Sequence, residues 1–306
     1  MTIRYDRPVS TAALMAYRLA VFAASMIVLA IALHRFGPLA TPDFIALVLV
    51  SALPALIAVP LALIGLGRLW QVGAEGGVVA TKALILSALP LGFLGFGLVR
   101  ALTLPVLYDV TSDLTVPPEF IEPAEFNQKW LPRPPVTEKM RVAQARAYPT
   151  LTGRRYEGAL DRVYEAVVKV ADQEGWQIGP TRGTQNAMPE FPGEAENGKP
   201  RPKAEEGAVD VAPDVGPVPL PRPLDEPLVR DPSVEPGIVR LQASTRTLLL
   251  GLPFDAMIRL REEAETTLVD VRVQSRYGPD DLGLSARIGE AYLRALDAEL
   301  LGIAGD

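Results

Sequence analysis

Three long apolar runs occupy the first third of the chain, and a shorter rhythm replaces them afterwards. Ala12–Leu33, Phe44–Leu66 and Ala83–Val99, the last extending towards Leu107, each come near the ~20 residues that a helix needs to cross a bilayer. Arg4, Arg7 and Arg18 precede the first apolar core as they would in a signal peptide, but a signal peptide is not followed at once by two further spans. The pattern predicts a three-helix transmembrane anchor over residues 1–107. Ala12, Ala16, Ala20 and Ala24 recur at every fourth position of the first run, a spacing that lets helix backbones approach closely in lipid. Packing against the other two runs is the simpler reading, a dimer seam the alternative. The segment "GLGRLWQVGAEGG" (Gly65–Gly77) follows a span rather than a strand and lacks the Walker lysine, so it reads as a loop without nucleotide chemistry.

From Tyr108 the pattern changes. Residues 108–155, opening with "YDVTSDLTVPPEF", read as an extended, proline-limited linker leaving the membrane. Over Tyr156–Glu174, Leu160, Val163, Val167 and Val170 fall at helical spacing, and Gly175 is placed as the stop. "WQIGPTR" then reads as a strand. Residues 185–236 are rich in Pro, Glu and Gly and poor in aromatics, the composition of a disordered or extended insertion. The run "GPVPLPRPL" within it resembles a polyproline ligand, although a spacer accounts for it more simply. Period-two alternation follows in Ile238–Leu249, Phe254–Arg261 and Leu268–Tyr277, joined by the short "GLP" and "EEAET". That is the signature of an antiparallel meander with one buried and one polar face. A last helix, about Leu282–Leu301, carries Leu284, Ile288, Ala291, Tyr292 and Ala295 on one stripe. The expected fold is an α-helical transmembrane anchor followed by an α+β soluble domain, helices packed on one face of an antiparallel sheet.

Composition removes several function classes. The 306 residues include no cysteine and one histidine, so thiolate metal sites, cysteine nucleophiles and multi-histidine zinc sites are excluded. His34, at the end of an apolar run, reads as a membrane-interface residue rather than a catalyst. A formal charge of −6 argues against nucleic acid as a partner. No span has an acidic residue in its middle, so no ion or proton relay is visible. Neither a cofactor nor a metal is expected. Arg4, Arg7, Arg18, Arg68 and Lys82 against Arg35 and Arg100 favour an N-terminus on the cytoplasmic side, placing the remainder of the chain across the membrane.

Two features carry candidate chemistry. If the meander pairs in register, Arg240, Arg246, Arg259, Arg261, Arg272 and Arg276 share a face with only Asp255 and Asp270. Neighbouring like charges repel, so this face needs either a ladder of carboxylates from the helix or linker, or an anionic partner. The second feature is "SRYGPDDLGLSARI" (Ser275–Ile288). Asp281 is placed to cap the last helix, Asp280 adds favourable charge at its N-terminus, and Gly278 and Gly283 permit a reversal and close packing. A structural joint explains these residues more fully than an acid–base pair does. Asp109 and Asp113 are carboxylates of the linker whose spacing matches no calcium-loop motif.

The chain resembles the bacterial DUF1499 family of uncharacterised, often membrane-anchored proteins. The likeness rests on "YDVTSDLTVPPEF", "AYPTL" (Ala147–Leu151), Gly175–Trp176, "FDAMIRLR" (Phe254–Arg261) and "VDVRVQSRYGPDDLG" (Val269–Gly283), over about 108–180 and 237–297. The family pattern usually has paired Asp where this chain has Phe254–Asp255, Asn at Ser285 and a small residue at Val273. The resemblance implies no established reaction. It implies a bacterial, membrane-anchored protein, and with the Lys/Arg bias the expected place is the inner membrane, N-terminus cytoplasmic and C-terminal domain periplasmic. The expected role is that of a non-enzymatic envelope protein binding a protein partner in an assembly or scaffold. A binder of membrane lipid or an anionic amphiphile is the alternative, and a hydrolase a distant third.

Overall fold

The computed structural model describes residues 9–72, 75–123, 126, 130–187 and 235–302. Three apolar helices come first: α1 (Thr11–Phe36), α2 (Thr41–Val72) and α3 (Gly77–Thr103). Each is long and apolar enough to cross a membrane. Their contacts are made by small residues, while Phe22, Leu53, Leu56 and Ile85 point outward. Ala13, Ala16 and Ala20 of α1 meet Ala58 and Ala62 of α2 and Ala80 and Ala83 of α3. In lipid, close van der Waals packing rather than water exclusion would hold such a seam, and alanine permits it. The seam therefore faces the chain's own bundle, with Ala13 rather than Ala12 in phase.

The stretch expected as a loop at Gly65–Gly77 is mostly helix, since α2 continues to Val72. Gly65 is there for packing: a Cβ would stand 2.9 Å from the Cβ of Ala13. Pro54 and Pro60 also lie within α2, and Pro90 within α3.

Beyond the helices stands a six-stranded antiparallel sheet in the order β1-β6-β5-β4-β3, with β2 also paired to β6. The strands are β1 (Asp109–Thr111), β2 (Arg154–Glu157), β3 (Gln177–Arg182), β4 (Ile238–Arg246), β5 (Pro253–Glu262) and β6 (Thr266–Ser275). The meander β4-β5-β6 is in the register that alternation requires, with Arg240 opposite Arg259 and Arg259 opposite Asp270. Two short strands share the outer edge of β6. β1 takes Arg272–Gln274 and β2 takes Thr266–Val269.

Helices α5 (Leu160–Gln173) and α6 (Leu284–Leu300) cover one face of the sheet. Val163, Val167 and Val170 of α5 and Tyr292, Leu293 and Leu296 of α6 meet Leu241, Ile258, Leu260, Val269 and Val273. At about 1.5–3 kcal/mol for each large side chain removed from water, this face is the main source of domain stability. Trp176 stacks on Tyr292 with ring centroids 4.3 Å apart, and the Tyr292 hydroxyl donates to the Val167 carbonyl at 3.0 Å. Gly175, at φ +72°, ends α5 where its spacing predicted a stop.

Several boundaries differ from the sequence reading, among them the start of α6, which is Leu284 with Gly283 rather than Asp281 at the N-cap. Residues 108–155, expected as an extended linker, contain β1, β2 and a helix α4 (Glu138–Ala147). That helix buries only Gln144, so it has no apolar stripe to betray it, and its Thr137 cap accepts from the Met140 N–H. Tyr156 lies in β2, and α5 begins later, at Leu160. Strand β4 stops at Arg246 instead of Leu249, where Thr247 starts a turn. The proline-rich insertion expected at about 185–236 falls largely on 188–234, outside the described residues, and so does the polyproline-like run.

Candidate functional site

The polar face of the sheet is roofed by the chain's own linker. Leaving the bundle, the backbone pairs as β1 along β6. Alternation turns Val110 to the core and Asp109 and Thr111 to the other side. Residues 112–123 then pass over the arginines. Two glutamine amides hold this path as a neighbouring strand would. Gln144 of α4 donates to the Thr111 carbonyl at 2.6 Å and accepts from its N–H at 3.3 Å. Gln242 of β4 donates to the Glu122 carbonyl at 2.8 Å and accepts from its N–H at 3.0 Å.

Beneath this roof four aspartates meet five arginines, with Arg259 Nε and Arg261 Nε buried and without a hydrogen-bond partner. Asp109, whose side chain is fully buried, receives Arg272 at 2.7 Å and Arg141 of α4 at 2.7 Å. Arg272 also donates to the Pro118 carbonyl at 2.9 Å and lies 5.1 Å from the centroid of Phe120. Arg259 bridges Asp113 at 2.8 Å and Asp270 at 2.7 Å, with only 8% of its side chain exposed. Arg261 joins Asp270 at 3.2 Å, and the Ser112 hydroxyl donates to the same carboxylate. Asp255 binds Arg276 at 2.7 Å, and that guanidinium lies 4.7 Å from the centroid of Phe126. Burial opposes charge on Asp113. The N–H groups of Val116 and Thr115 and the Arg259 guanidinium outweigh it and hold its carboxyl below the ordinary value.

Of the face residues singled out by alternation, Asp255, Arg259, Arg261, Asp270, Arg272 and Arg276 thus belong to a buried ionic layer. Arg240 reaches Glu235 at 3.0 Å at the layer's margin. Arg246, at the end of β4, is exposed and stands apart. The ladder of linker carboxylates is thus the reading the structure bears out, with Asp109 and Asp113 as its members; sequence reasoning had not assigned them to it, nor found Arg141 and Gln144. A signal for the first two existed: Asp109, Thr111 and Asp113 share one side of an extended segment, opposite Val110. Chemically the layer can hold strands and linker together. An anion entering it would have to displace carboxylates already bonded.

The second candidate, "GPDDLG", is a joint in two senses. Asp281 accepts from Gly283 N–H at 2.8 Å and Ser285 N–H at 3.0 Å, occupying orphan donors at the start of α6. Its own N–H donates to the Leu107 carbonyl at 2.8 Å. Asp280 accepts from Leu282 N–H at 3.0 Å. Burial pushes the Asp281 carboxyl up to about 6, the Ser285 and Gly283 hydrogen bonds pulling the other way; burial raises Asp280 as well. Gly278 and Gly283 both have positive φ, and Leu282 at φ +58° is the one non-glycine among the described residues that does. Such a residue persists only where surroundings over-determine it. Here the Leu282 carbonyl accepts from Arg100 Nε of α3 at 2.8 Å, and its side chain reaches towards Gly97. A Cβ on Gly283 would stand 2.8 Å from the Tyr148 hydroxyl and 2.9 Å from Leu104.

A second clamp joins domain to bundle. His34 Nδ1 donates to the Leu250 carbonyl at 2.7 Å, which leaves Nε2 to accept from the Thr41 hydroxyl at 3.1 Å in the neutral ring. The ring is buried and stacks on Phe44 with centroids 4.5 Å apart. Arg35 donates to the Leu248 carbonyl at 3.3 Å. His34 is therefore a fixed contact between α1 and the turn after β4.

Comparison with known proteins adds one match. The family model DUF1499, described as a protein of unknown function, matches residues 109–296. No curated protein and no solved structure matches the chain.

Proposed function

This chain belongs to the DUF1499 family, and on that premise we propose that it is a membrane-anchored, non-enzymatic envelope protein. In this reading its domain, held in a fixed posture at one end of three spans, presents a surface to a protein partner in an assembly or scaffold role. The observation that carries the reading is the double clamp: α1 grips the turn after β4, and α3 grips the joint before α6. A domain fixed to its anchor at two separated points is built to hold an orientation relative to the bilayer. Tethering of that kind raises the local concentration of a surface for partners near the membrane.

Further support comes from the two faces of the sheet, although an open groove of about 710 Å³ lies outside them, between α5 and β3, lined by Tyr164, Val168, Trp176 and Ile178. The polar face is closed by the linker, and the sheet–helix interface is filled by Tyr292, Leu293, Leu296, Ile258 and Leu260. A lipid or anionic-amphiphile binder, the alternative, calls for a hollow interface with arginines at its mouth. The proposed setting is the bacterial inner membrane, with the N-terminus cytoplasmic and the domain periplasmic. Arg35 and Arg100 lie on the domain's side of the bundle, but both bond domain carbonyls. Their positive charge has a structural use there, so it weighs less against this orientation than a free loop charge would.

Site-specific photo-crosslinking of the full chain in native membranes tests the proposal. A photoreactive residue is placed in turn at Val168 and Ile178, half-buried in the groove between α5 and β3, and at Ala264 in the exposed β5–β6 turn. A discrete adduct to one identified polypeptide, formed from some of these positions and not others, is expected. Adducts to none, together with a stoichiometric lipid retained by the full chain in native mass spectrometry, would move the assignment to lipid binding.

A further inference from the structure

The turn between β4 and β5 ends in an apolar surface that the domain's core does not use. Thr247–Leu252, "TLLLGL", closes on itself. Thr247 N–H donates to the Leu252 carbonyl, Leu252 N–H to the Thr247 hydroxyl and Gly251 N–H to the Thr247 carbonyl, each at 2.9 Å. Leu250 and Leu252 pack into the end of the helical bundle with Phe44, Val48 and Phe93. Their neighbours point the other way: Leu248 is 88% exposed and Leu249 81% exposed.

We propose that Leu248 and Leu249 insert into the lipid of the bilayer that the spans cross, in the leaflet on the domain's side. The β4–β5 turn would then be a fourth membrane contact that does not span. This inference rests on the reading of α1–α3 as transmembrane helices. Single exposed leucines are ordinary on a protein surface. These two are adjacent, on a closed turn that Arg35 bonds to the end of α1, a helix whose Leu29, Leu33 and Phe36 are exposed as well. Bonding of backbone polar groups lowers the cost of bringing them near an apolar medium, which here the side chains alone need enter. The clamp does this for the Leu248 and Leu250 carbonyls through Arg35 and His34, while Thr247 closes the turn's base.

The charges nearby fit lipid rather than a protein groove. Arg246, exposed at the end of β4, sits two residues before Leu248, and Arg35 lies beside it. Cations placed above apolar side chains at the end of a span are the arrangement that meets phosphate headgroups while the side chains enter the acyl region. This gives Arg246, left out of the ionic layer, a role of its own.

The chain has no cysteine, so single-site nitroxide labels at Leu249→Cys, Leu56→Cys in α2 and Ala264→Cys in the β5–β6 turn report independently. Each labelled full chain is placed in nanodiscs of phosphatidylethanolamine and phosphatidylglycerol, and its exposure to oxygen and to a water-soluble nickel chelate is compared. The label at 249 should prefer oxygen, at a shallower depth than the one at 56, and the one at 264 should prefer nickel. Nickel preference at 249 with oxygen preference at 56 overturns the insertion and leaves the spans intact. Shielding of 249 from both reagents overturns it in favour of a covering protein, a second copy included. Nickel preference at 56 removes the transmembrane reading and the insertion with it.

Discussion

Replacing Arg272 by alanine separates a structural ionic layer from an open arginine face, because the two make opposite predictions about stability. Arg272 shares the fully buried Asp109 with Arg141, donates to the Pro118 carbonyl and lies against Phe120. Removing one partner of a buried pair costs about 3–5 kcal/mol. Arg141 remains on Asp109, which places the ionic part nearer about 2 kcal/mol on the same scale. Losing the Pro118 hydrogen bond adds about 1 kcal/mol, and losing the Phe120 contact adds about 0.5–1 kcal/mol. A total of about 3–4 kcal/mol corresponds to a fall of about 6–15 °C in Tm for a domain of this size. The assay is thermal unfolding of the full chain in nanodiscs, followed by fluorescence of Trp176, which is stacked against Tyr292 in the core. Arg246→Ala serves as the internal control and should move Tm by less than about 2 °C, as surface changes do. Were the arginines an unpaired patch awaiting an anion, removing one would relieve repulsion and leave Tm unchanged or raise it. That result for Arg272→Ala refutes the ionic-layer reasoning.

Other perturbations probe the joint and the sheet. Gly283→Ala puts a Cβ within 2.9 Å of Tyr148 and Leu104 at φ +73°, so we expect a loss of about 2–4 kcal/mol and faster proteolysis after Leu282 in the folded chain. Asp281 has a folded pKa raised to about 6 from 3.8, so its stabilising contribution is complete below 3.8 and is lost as pH rises through about 6. Denaturant unfolding should give about 1.5 kcal/mol less stability at pH 7.5 than at pH 5 from this group, and Asp281→Asn should flatten that part of the slope. Gly153→Ala would place a Cβ 2.6 Å from Asp270 Oδ1; the displaced carboxylate should lower Tm by several degrees, with Gly158→Ala, where the nearest atom is 3.7 Å away, costing only its backbone strain.

The parts of this fold legible in sequence are those with strong periodicity. The three apolar runs, the alternation of β4, β5 and β6, and the stripe of α5 each repeat over enough residues to outweigh local noise. Helix α4 was hidden because its one buried side chain is the amide of Gln144, not a hydrocarbon. The arginine face was legible, with Asp255 and Asp270 on it and a ladder of linker carboxylates as one way to complete it, but which linker residues do so was not. Asp109 lies 163 residues before Arg272, and nothing in local composition announces a pairing at that distance. The clamps are hidden for the same reason: His34 and Leu250 are 216 residues apart, and Arg100 and Leu282 are 182 apart. "GPDDLG" was readable as a helix cap because capping is local. Its hold on α3 depends on where the bundle stands, which only tertiary structure supplies.

Hydrogen–deuterium exchange over residues 111–122 of the full chain in nanodiscs tests the closed polar face most directly. In this segment Ser112 N–H bonds the Val271 carbonyl, Thr115 and Val116 bond Asp113, and Glu122 bonds Gln242. The expected result is slow exchange at these amides, with Ser112 as protected as β6, and accelerated exchange through the segment in Arg272→Ala. Exchange at the rate of an open loop in the unaltered protein would mean that the linker does not seal the arginines, and the face would return to being a site for an anionic partner.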